Sequence, residues 1–482
     1  MTLNDIIQNN LILTLNQLKA DEELVTEIQK KLNTLGIYPG GRWLDGDYGD
    51  RTKAALVEFC QAKSLNNMTI GSIDSNFAET LIKIDVVTYL LESAKNRDNV
   101  FKIFLESEAG FDADKLRILD RGIDKSPFKK EIDFYPIRLQ EKPDGLDVIF
   151  SNVNAKFTDF PEVGKSPTID AGLDFLHNDV TEACICIGSF VDGQIKSHWL
   201  GKNPLKNVQF WSTTKFIPIL NAVCKINSSH PSTDIDNCIV NSGGFSFFKM
   251  AVDVVTYEAN FSSSNSLSAM FKRFETFSGL EKWVKNITGN AALQFRGNYS
   301  EGAFRSSPQI FDNKLNKVVL NAAPVEPTGN NLVSAYDLVR LISMLGWHHH
   351  LPQAARLPGA QWDSLESVVR AMGNDSARYV DIAIERLGLQ DVIKSPVIIS
   401  KLGFGPSDTR KKVELTYTVL VKFIDKRPRV LNGNPSKLRT FAMSLRAAKD
   451  LNNLSQNARE LDARMAAEVT EILRRIVTEE LI

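Results

Sequence analysis

Two groups of strand-like segments, set far apart along the chain, constrain its fold more than any other feature. An apolar run near Glu182–Val191 is followed by a turn at 192–194 and a second run near Ile195–Leu200, the pattern of a β-hairpin. Strand patterns return only at 396–405, 413–423 and near 438–445, after a helical middle spanning roughly 212–390. An amphipathic helix carrying Leu461, Met465, Val469, Ile472, Leu473 and Ile476 closes the chain. Such strands hide their apolar faces most simply by joining one sheet. The pattern therefore predicts an α+β fold, with one antiparallel sheet built from both ends of a domain and the helical block facing it.

A chain of 482 residues has room for two or three domains. Lys and Arg number 57 against 58 Asp and Glu, so no charge excess points to nucleic acid or an anionic membrane. No stretch reaches the roughly 18 apolar residues of a membrane span. The five cysteines are an odd number, which argues against a disulfide framework, and the alternating Cys184 and Cys186 read as thiols on one packed strand face. The first residues lack a basic segment and a small-residue cleavage site, so no signal peptide is expected.

Residues 21–83 read as a compact helical unit. Val25, Ile28, Leu32 and Leu35 recur at helical spacing, with Gly36 as a stop. A loop rich in Gly and Asp follows at 38–49, then a helix from about Arg51 with Ala54, Ala55, Leu56 and Phe59 inward, and a short helix at about 74–83. Gln29, Leu32, Leu35-Gly36, Asp45-Gly46-Asp47-Tyr48-Gly49, Thr52 and Phe59 give this unit a resemblance to peptidoglycan-binding type 1 domains. The resemblance implies a three-helix module for peptidoglycan or a related glycan-peptide. Trp43 and Tyr48 suit either stacking on a sugar or packing. The expected organisation is a peptidoglycan-binding-like domain at 1–84, a helical connecting segment at 85–145 bounded by the turn at 142–145, and a larger domain at 146–482.

Three short motifs in the larger domain carry chemistry. Ser212 and Lys215 are three residues apart at the expected start of a helix, which puts amine and hydroxyl on one face. A buried lysine near other cations loses its proton and becomes a base. Pro218, inside the same helix, is expected to cost a hydrogen bond. Ser263-Ser264-Asn265 combines a hydroxyl able to relay a proton with an amide able to hold a substrate, although a serine cluster also caps helices. Lys401-Leu402-Gly403 ends an apolar strand. Lys401 suits a substrate carboxylate, Gly403 the close approach of a ligand, and the Phe404 N–H an oxyanion alongside that of Ser212. Edge-strand lysine and turn glycine is the blander reading.

In order and spacing these motifs resemble the serine β-lactamase and penicillin-binding-protein (DD-peptidase) family, whose signature is Ser-x-x-Lys, Ser-x-Asn and Lys-Thr-Gly. The resemblance covers about 170–480 and implies a β-lactamase/transpeptidase-like domain. It implies Ser212 as acylated nucleophile, Lys215 as its base, Ser263 as proton shuttle, Asn265 on the acyl amide and Lys401 on a carboxylate. The substrate would be an amide or ester of a peptide, a peptidoglycan stem or a β-lactam-like molecule, with no cofactor or metal; the cell envelope is the location the resemblance implies, and the cytoplasm is the alternative left open by the lack of a signal-peptide pattern. Leu402 departs from the family's Thr or Ser and removes a hydroxyl from carboxylate recognition. Glu326 is the first candidate for a deacylating base and Glu301 the next. Without that base, peptidase or esterase behaviour is expected over β-lactam destruction. The competing expectation is a non-catalytic binding or scaffold protein on a degenerate form of the fold. His348, His349 and His350 read as a solvated loop or helix end.

Overall fold

The computed structural model describes residues 1–141, 156–191, 193–241, 244–427 and 436–481. The turn expected at 142–145 and Asp192 of the hairpin turn lie outside the described residues. The chain forms two compact units, Met1–Val100 with Ile384–Leu389, and Phe101–Ala383 with Gln390–Ile482. The stretch 85–145, expected to be a separate connector, is divided between them.

The first unit contains α1 (Glu22–Thr34), α2 (Asp50–Ala62), α3 (Ser75–Lys83) and α4 (Val86–Ser93). Asp21 starts α1 by accepting from Leu24 N–H at 3.0 Å, and Asp74 does the same for α3 through Phe77. Val25, Ile28, Leu32, Leu35, Leu56 and Phe59 form the core with Phe77 and Leu81. Ala54, expected inward, is exposed. The first twenty residues, which lie inside the expected domain 1–84 but ahead of the helical unit read at 21–83, also belong to this core. Leu3, Ile6 and Leu18 are buried there, and Leu13–Thr14 pairs antiparallel with Ser72–Ile73.

One buried side chain organises the loop between α1 and α2. Gln29 lies within hydrogen-bonding distance of Tyr38 Oη, Asp45 Oδ1, the Asp47 carbonyl and Thr52 Oγ1 through its amide nitrogen, and its amide oxygen accepts from Gly46 N–H at 2.9 Å. Gly46 has φ +77°, and a Cβ there would lie 2.8 Å from the Glu22 carbonyl, so glycine is required both by conformation and by space.

The second unit is built on a sheet in which β1 (Val180–Val191) and β2 (Gln194–Lys202) form the expected hairpin. Between them and the later strands run α5 (Phe216–Ser229), α6 (Phe247–Thr256), α7 (Ser264–Lys272), α8 (Phe277–Thr288), α9 (Ala335–Gly346) and α10 (Trp362–Gly373). The chain then adds β3 (Ile393–Ser407), β4 (Lys412–Asp425) and β5 (Lys437–Asp450), and ends in α11 (Leu454–Val477). The strand order is β3-β4-β5-β1-β2, with short segments at Thr158–Asp159 and Asp170–Ala171 added along β2. The five long strands pair antiparallel, and β5 joins β1 with Met443 opposite Ile185. The sheet is thus assembled from both ends of the unit, as the α+β pattern requires, and β3 is left at the edge.

Val413 to Phe423 of β4 are buried without interruption, the mark of a strand covered on both faces. Helix α9 packs on β1 and β5, and α11 packs on β4 and β5 with Leu461, Met465, Val469, Ile472 and Ile476 buried. The middle segment is not purely helical. It also holds a four-stranded sheet of Lys317–Asn321, Gln309–Asp312, Cys238–Val240 and Phe245–Ser246. Pro218 falls in the first turn of α5, where N–H groups have no intrahelical partner, so the expected cost vanishes. His348 and His350 are buried rather than solvated, the latter with Nε2 2.7 Å from the Leu139 carbonyl. All five cysteines are buried and unpaired.

Replacing Gln29 by Ala leaves the buried Gly46 N–H and Thr52 hydroxyl short of a partner and costs the first unit about 1–3 kcal/mol. Amide hydrogen exchange on the full chain checks this: Gly46 should lose protection while the strands of the second unit keep theirs.

Candidate active site

Ser212 does not open α5 itself. It sits in a tight 3-10 turn, Trp211–Lys215, that leads into the helix. The turn lies flat on β3, and two glycines make this possible. A Cβ on Gly403 would stand 2.8 Å from both the Phe210 carbonyl and Thr213 Oγ1, and one on Gly405 would stand 2.7 Å from the Trp211 ring. Alternate residues of a strand share a face, so Gly403 and Gly405 present bare backbone to the turn. Thr416 on β4 closes the joint. Its hydroxyl is 2.5 Å from Thr213 Oγ1 and 3.0 Å from the Phe210 carbonyl. Gly403 was expected to admit a ligand; it admits the turn that carries Ser212.

Trp211 immediately precedes the serine with φ +48°, a strained conformation for a bulky residue. Its indole N–H donates to Glu414 Oε2 at 2.7 Å, and Glu414 is itself gripped by Arg410 and Arg446. Ser212 is half-buried. Its backbone N–H has no partner among the described residues.

Lys215 is 1% exposed. Its Nζ donates to Ser264 Oγ at 2.9 Å and to Asn265 Oδ1 at 2.7 Å. Ser264 sends its own hydrogen to the Val254 carbonyl at 2.7 Å, so it accepts from the lysine. The rings of Tyr257 and Tyr299 lie 5.1 and 5.7 Å from the amine. Burial lowers the Lys215 pKa to about 6, helped by repulsion from Lys401 and opposed by Glu301. A neutral amine has two N–H donors, and both are used here, which leaves its lone pair open. Lys215 and Ser212 are not hydrogen-bonded to each other.

Tyr257 is the residue that the sequence reading missed. It ends α6 in the left-handed conformation, φ +64°, and its phenol oxygen accepts from Lys401 Nζ at 2.7 Å. The hydroxyl itself donates to the Leu402 carbonyl at 3.3 Å, Ser212 lies beside it, and burial holds the phenol far above its ordinary pKa. The residue is 36% exposed, so part of the ring meets solvent although the hydroxyl end is enclosed.

Lys401 is fully buried. Besides Tyr257 it donates to the Leu402 carbonyl at 3.2 Å and lies 3.8 Å from Asp375 Oδ1. Burial lowers its pKa to about 8, and Asp375 opposes the shift. Leu402 is only 5% exposed, and Phe404 is half-buried opposite Leu415.

The remaining sequence candidates separate. Ser263 is not the hydroxyl beside Lys215. It caps α7 by accepting from Ser266 N–H at 3.0 Å and donates to Glu301, and the neighbour at the lysine is Ser264. Asn265 turns its amide oxygen to Lys215, while its NH2 group bonds no described residue. Glu326 accepts from Ser278 N–H and Oγ, both at 2.7 Å, which lower its pKa and tie it to the start of α8. It touches none of Ser212, Lys215, Tyr257 or Lys401. Glu301 is the carboxylate whose field reaches Lys215. In the first unit the Trp43 ring is covered by the guanidinium groups of Arg51 and Arg42, 3.7 and 4.8 Å from its centroid.

No known family model matches this chain, and no curated protein matches its sequence.

Below pH 6 Lys215 is protonated both folded and unfolded; between about 6 and 10 only the unfolded chain holds the proton. Folding therefore gains stability as pH rises across that window through this group. A Lys215→Met variant lacks that gain. Relative to wild type, its melting temperature should be highest near pH 6 and converge on, or fall below, the wild-type value toward pH 10. Thermal melts across the range measure it, and a pH-independent difference contradicts a neutral Lys215.

Proposed function

We propose that the chain is an acyl-serine hydrolase of β-lactamase/DD-peptidase type, acting on an amide or ester of a peptide, peptidoglycan stem or related molecule. One observation carries the reading: a partly exposed serine lies three residues before a buried lysine whose lone pair is unused, and beside a phenol clamped by a second lysine. The order of the three motifs and the edge placement of β3 support it.

In this reading Ser212 Oγ attacks the substrate carbonyl carbon and its proton passes to Lys215 Nζ. The unpartnered Ser212 N–H stabilises the oxyanion, with the Phe404 N–H as the second donor. The intermediate collapses to a Ser212 ester as the bond to the leaving group breaks, and Lys215 returns the proton to the departing nitrogen or oxygen. Water then attacks the ester, gives a proton to Lys215, and releases the acid and the serine hydroxyl. Tyr257 stays a neutral phenol and orients Ser212. Asn265, with its oxygen fixed by Lys215, offers its NH2 to the acyl carbonyl. The separation of Ser212 from Lys215 fits a base whose hydrogen bond tightens only when substrate is bound. The small unit serves as a peptidoglycan-binding module, supported by the loop that Gln29 organises.

The same separation favours a second reading, a non-catalytic binding protein on a degenerate form of this fold. A fluorophosphonate probe decides between them. Labelling of Ser212 that is lost in Ser212→Ala supports the hydrolase; an unlabelled serine supports the binding protein. The labelling rate should rise with pH through a midpoint near 6 and fall about 10²–10⁴-fold in Lys215→Met. In Lys401→Met the midpoint should move to higher pH, because a charge that opposes protonation of Lys215 is gone.

A further inference from the structure

Lys401 and Tyr257 meet over one backbone oxygen. The Leu402 carbonyl accepts from Lys401 Nζ at 3.2 Å and from Tyr257 Oη at 3.3 Å, and the phenol oxygen accepts from the same amine at 2.7 Å. With its own hydrogen spent on Leu402, the phenol keeps only acceptor capacity for Ser212 beside it. The amine therefore decides where the phenol stands.

Lys401 is fully buried, and a buried ammonium persists only beside a counter-charge. Among the described residues Asp375 is the one carboxylate within ion-pair range, its Oδ1 3.8 Å from Nζ. Asp375 is also fully buried, in the loop that follows α10. Its Oδ2 accepts from Ser400 Oγ at 2.8 Å, while Oδ1 has no hydrogen-bond partner among the described residues. The other cation near this carboxylate is committed elsewhere. Arg378 donates to both carboxylate oxygens of Asp381, at 2.7 and 2.9 Å, and to Ser126 and the Gly373 carbonyl. Tyr417 on β4 faces Asp375 as a phenol whose pKa burial raises. Lys215 and Lys401 lie 5.1 and 4.0 Å from the centroid of the Tyr257 ring, and Asp120 and Tyr299 act on the same phenol.

We propose that Asp375 is a positioning residue of the site: it anchors the ammonium of Lys401, and through Lys401 it holds Tyr257 against Ser212 and maintains the positive charge that faces Lys215. The proposal rests on the acyl-serine reading and adds to it the residue that sets its pH range. Burial lowers the Lys401 pKa to about 8 against the pull of Asp375. Without that pull Lys401 loses its proton at lower pH. A neutral Lys401 no longer repels a proton on Lys215, so the lower limit of the working range moves up as the upper limit moves down.

The fluorophosphonate probe reads this on the full chain as the pH profile of Ser212 labelling. In wild type the rate should rise through a midpoint near 6 and fall through one near 8. In Asp375→Asn the upper midpoint should drop by about one to three pH units, the effect of removing an opposite charge at this range, and the lower one should rise. The double variant Asp375→Asn/Lys401→Met removes both buried charges together and should match Lys401→Met at every pH. It remains measurable where Asp375→Asn alone, with its uncompensated ammonium, fails to fold. An Asp375→Asn profile that coincides with wild type, or a double variant that departs from Lys401→Met, overturns the proposal and leaves the acyl-serine reading in place. A wild-type Ser212 that is unlabelled at every pH overturns both.

Discussion

Phe210 offers a carbonyl, Thr213 a hydroxyl and Trp211 a whole ring to a stretch of β3 where even a methyl group would collide. The rest of the site depends on this approach. It sets Ser212 against the sheet edge, and it forces Trp211 into a left-handed conformation that costs about 1–3 kcal/mol. That cost is offset by a buried ladder of charge. Arg446 on β5 reaches Glu182 on β1 at 2.5 Å and Glu414 on β4 at 2.6 Å, and Glu414 holds the Trp211 indole. Three strands thus converge on the residue before Ser212.

Two lysines share this enclosure under different terms. Lys401 has a carboxylate at hand in Asp375, so burial lowers its pKa only to about 8. Lys215 has neutral acceptors and aromatic rings around it, with the charge of Lys401 nearby, and falls to about 6. A buried charge persists only where a counter-charge compensates its lost hydration. The fold supplies that compensation to one amine and withholds it from the other.

The long elements were legible because their periodicity reports burial directly. The run 413–423 matches β4, and the spacing from Leu461 to Ile476 matches α11. Strands of two to five residues, such as Gln309–Asp312, carry too few alternations to stand out from helical surroundings. The serine run at 262–264 fixed the region but not the register, since whether Ser263 or Ser264 meets Lys215 depends on where α7 begins. Tyr257 gave no signal at all. It lies five residues before that run, at a helix end, and acquires its partners only when Lys401, 144 residues later, folds across it. Glu301 and Glu326 were ranked in the reverse of their proximity to Lys215, because a carboxylate in a loop has no periodicity to place it.

The joining of β1 to β5 also governs when the site can exist. Residues bonded across that seam, such as Thr181 and Arg446, are 265 positions apart. Closing so large a loop before any reward is a slow event in folding, and on a ribosome it must wait until the last strand has emerged. The turn Trp211–Lys215 is made early but has no strand edge to lie on until then. A nascent or clipped chain therefore carries Ser212 and Lys215 without the enclosure that lowers the amine's pKa, so the assembled site arrives late and all at once.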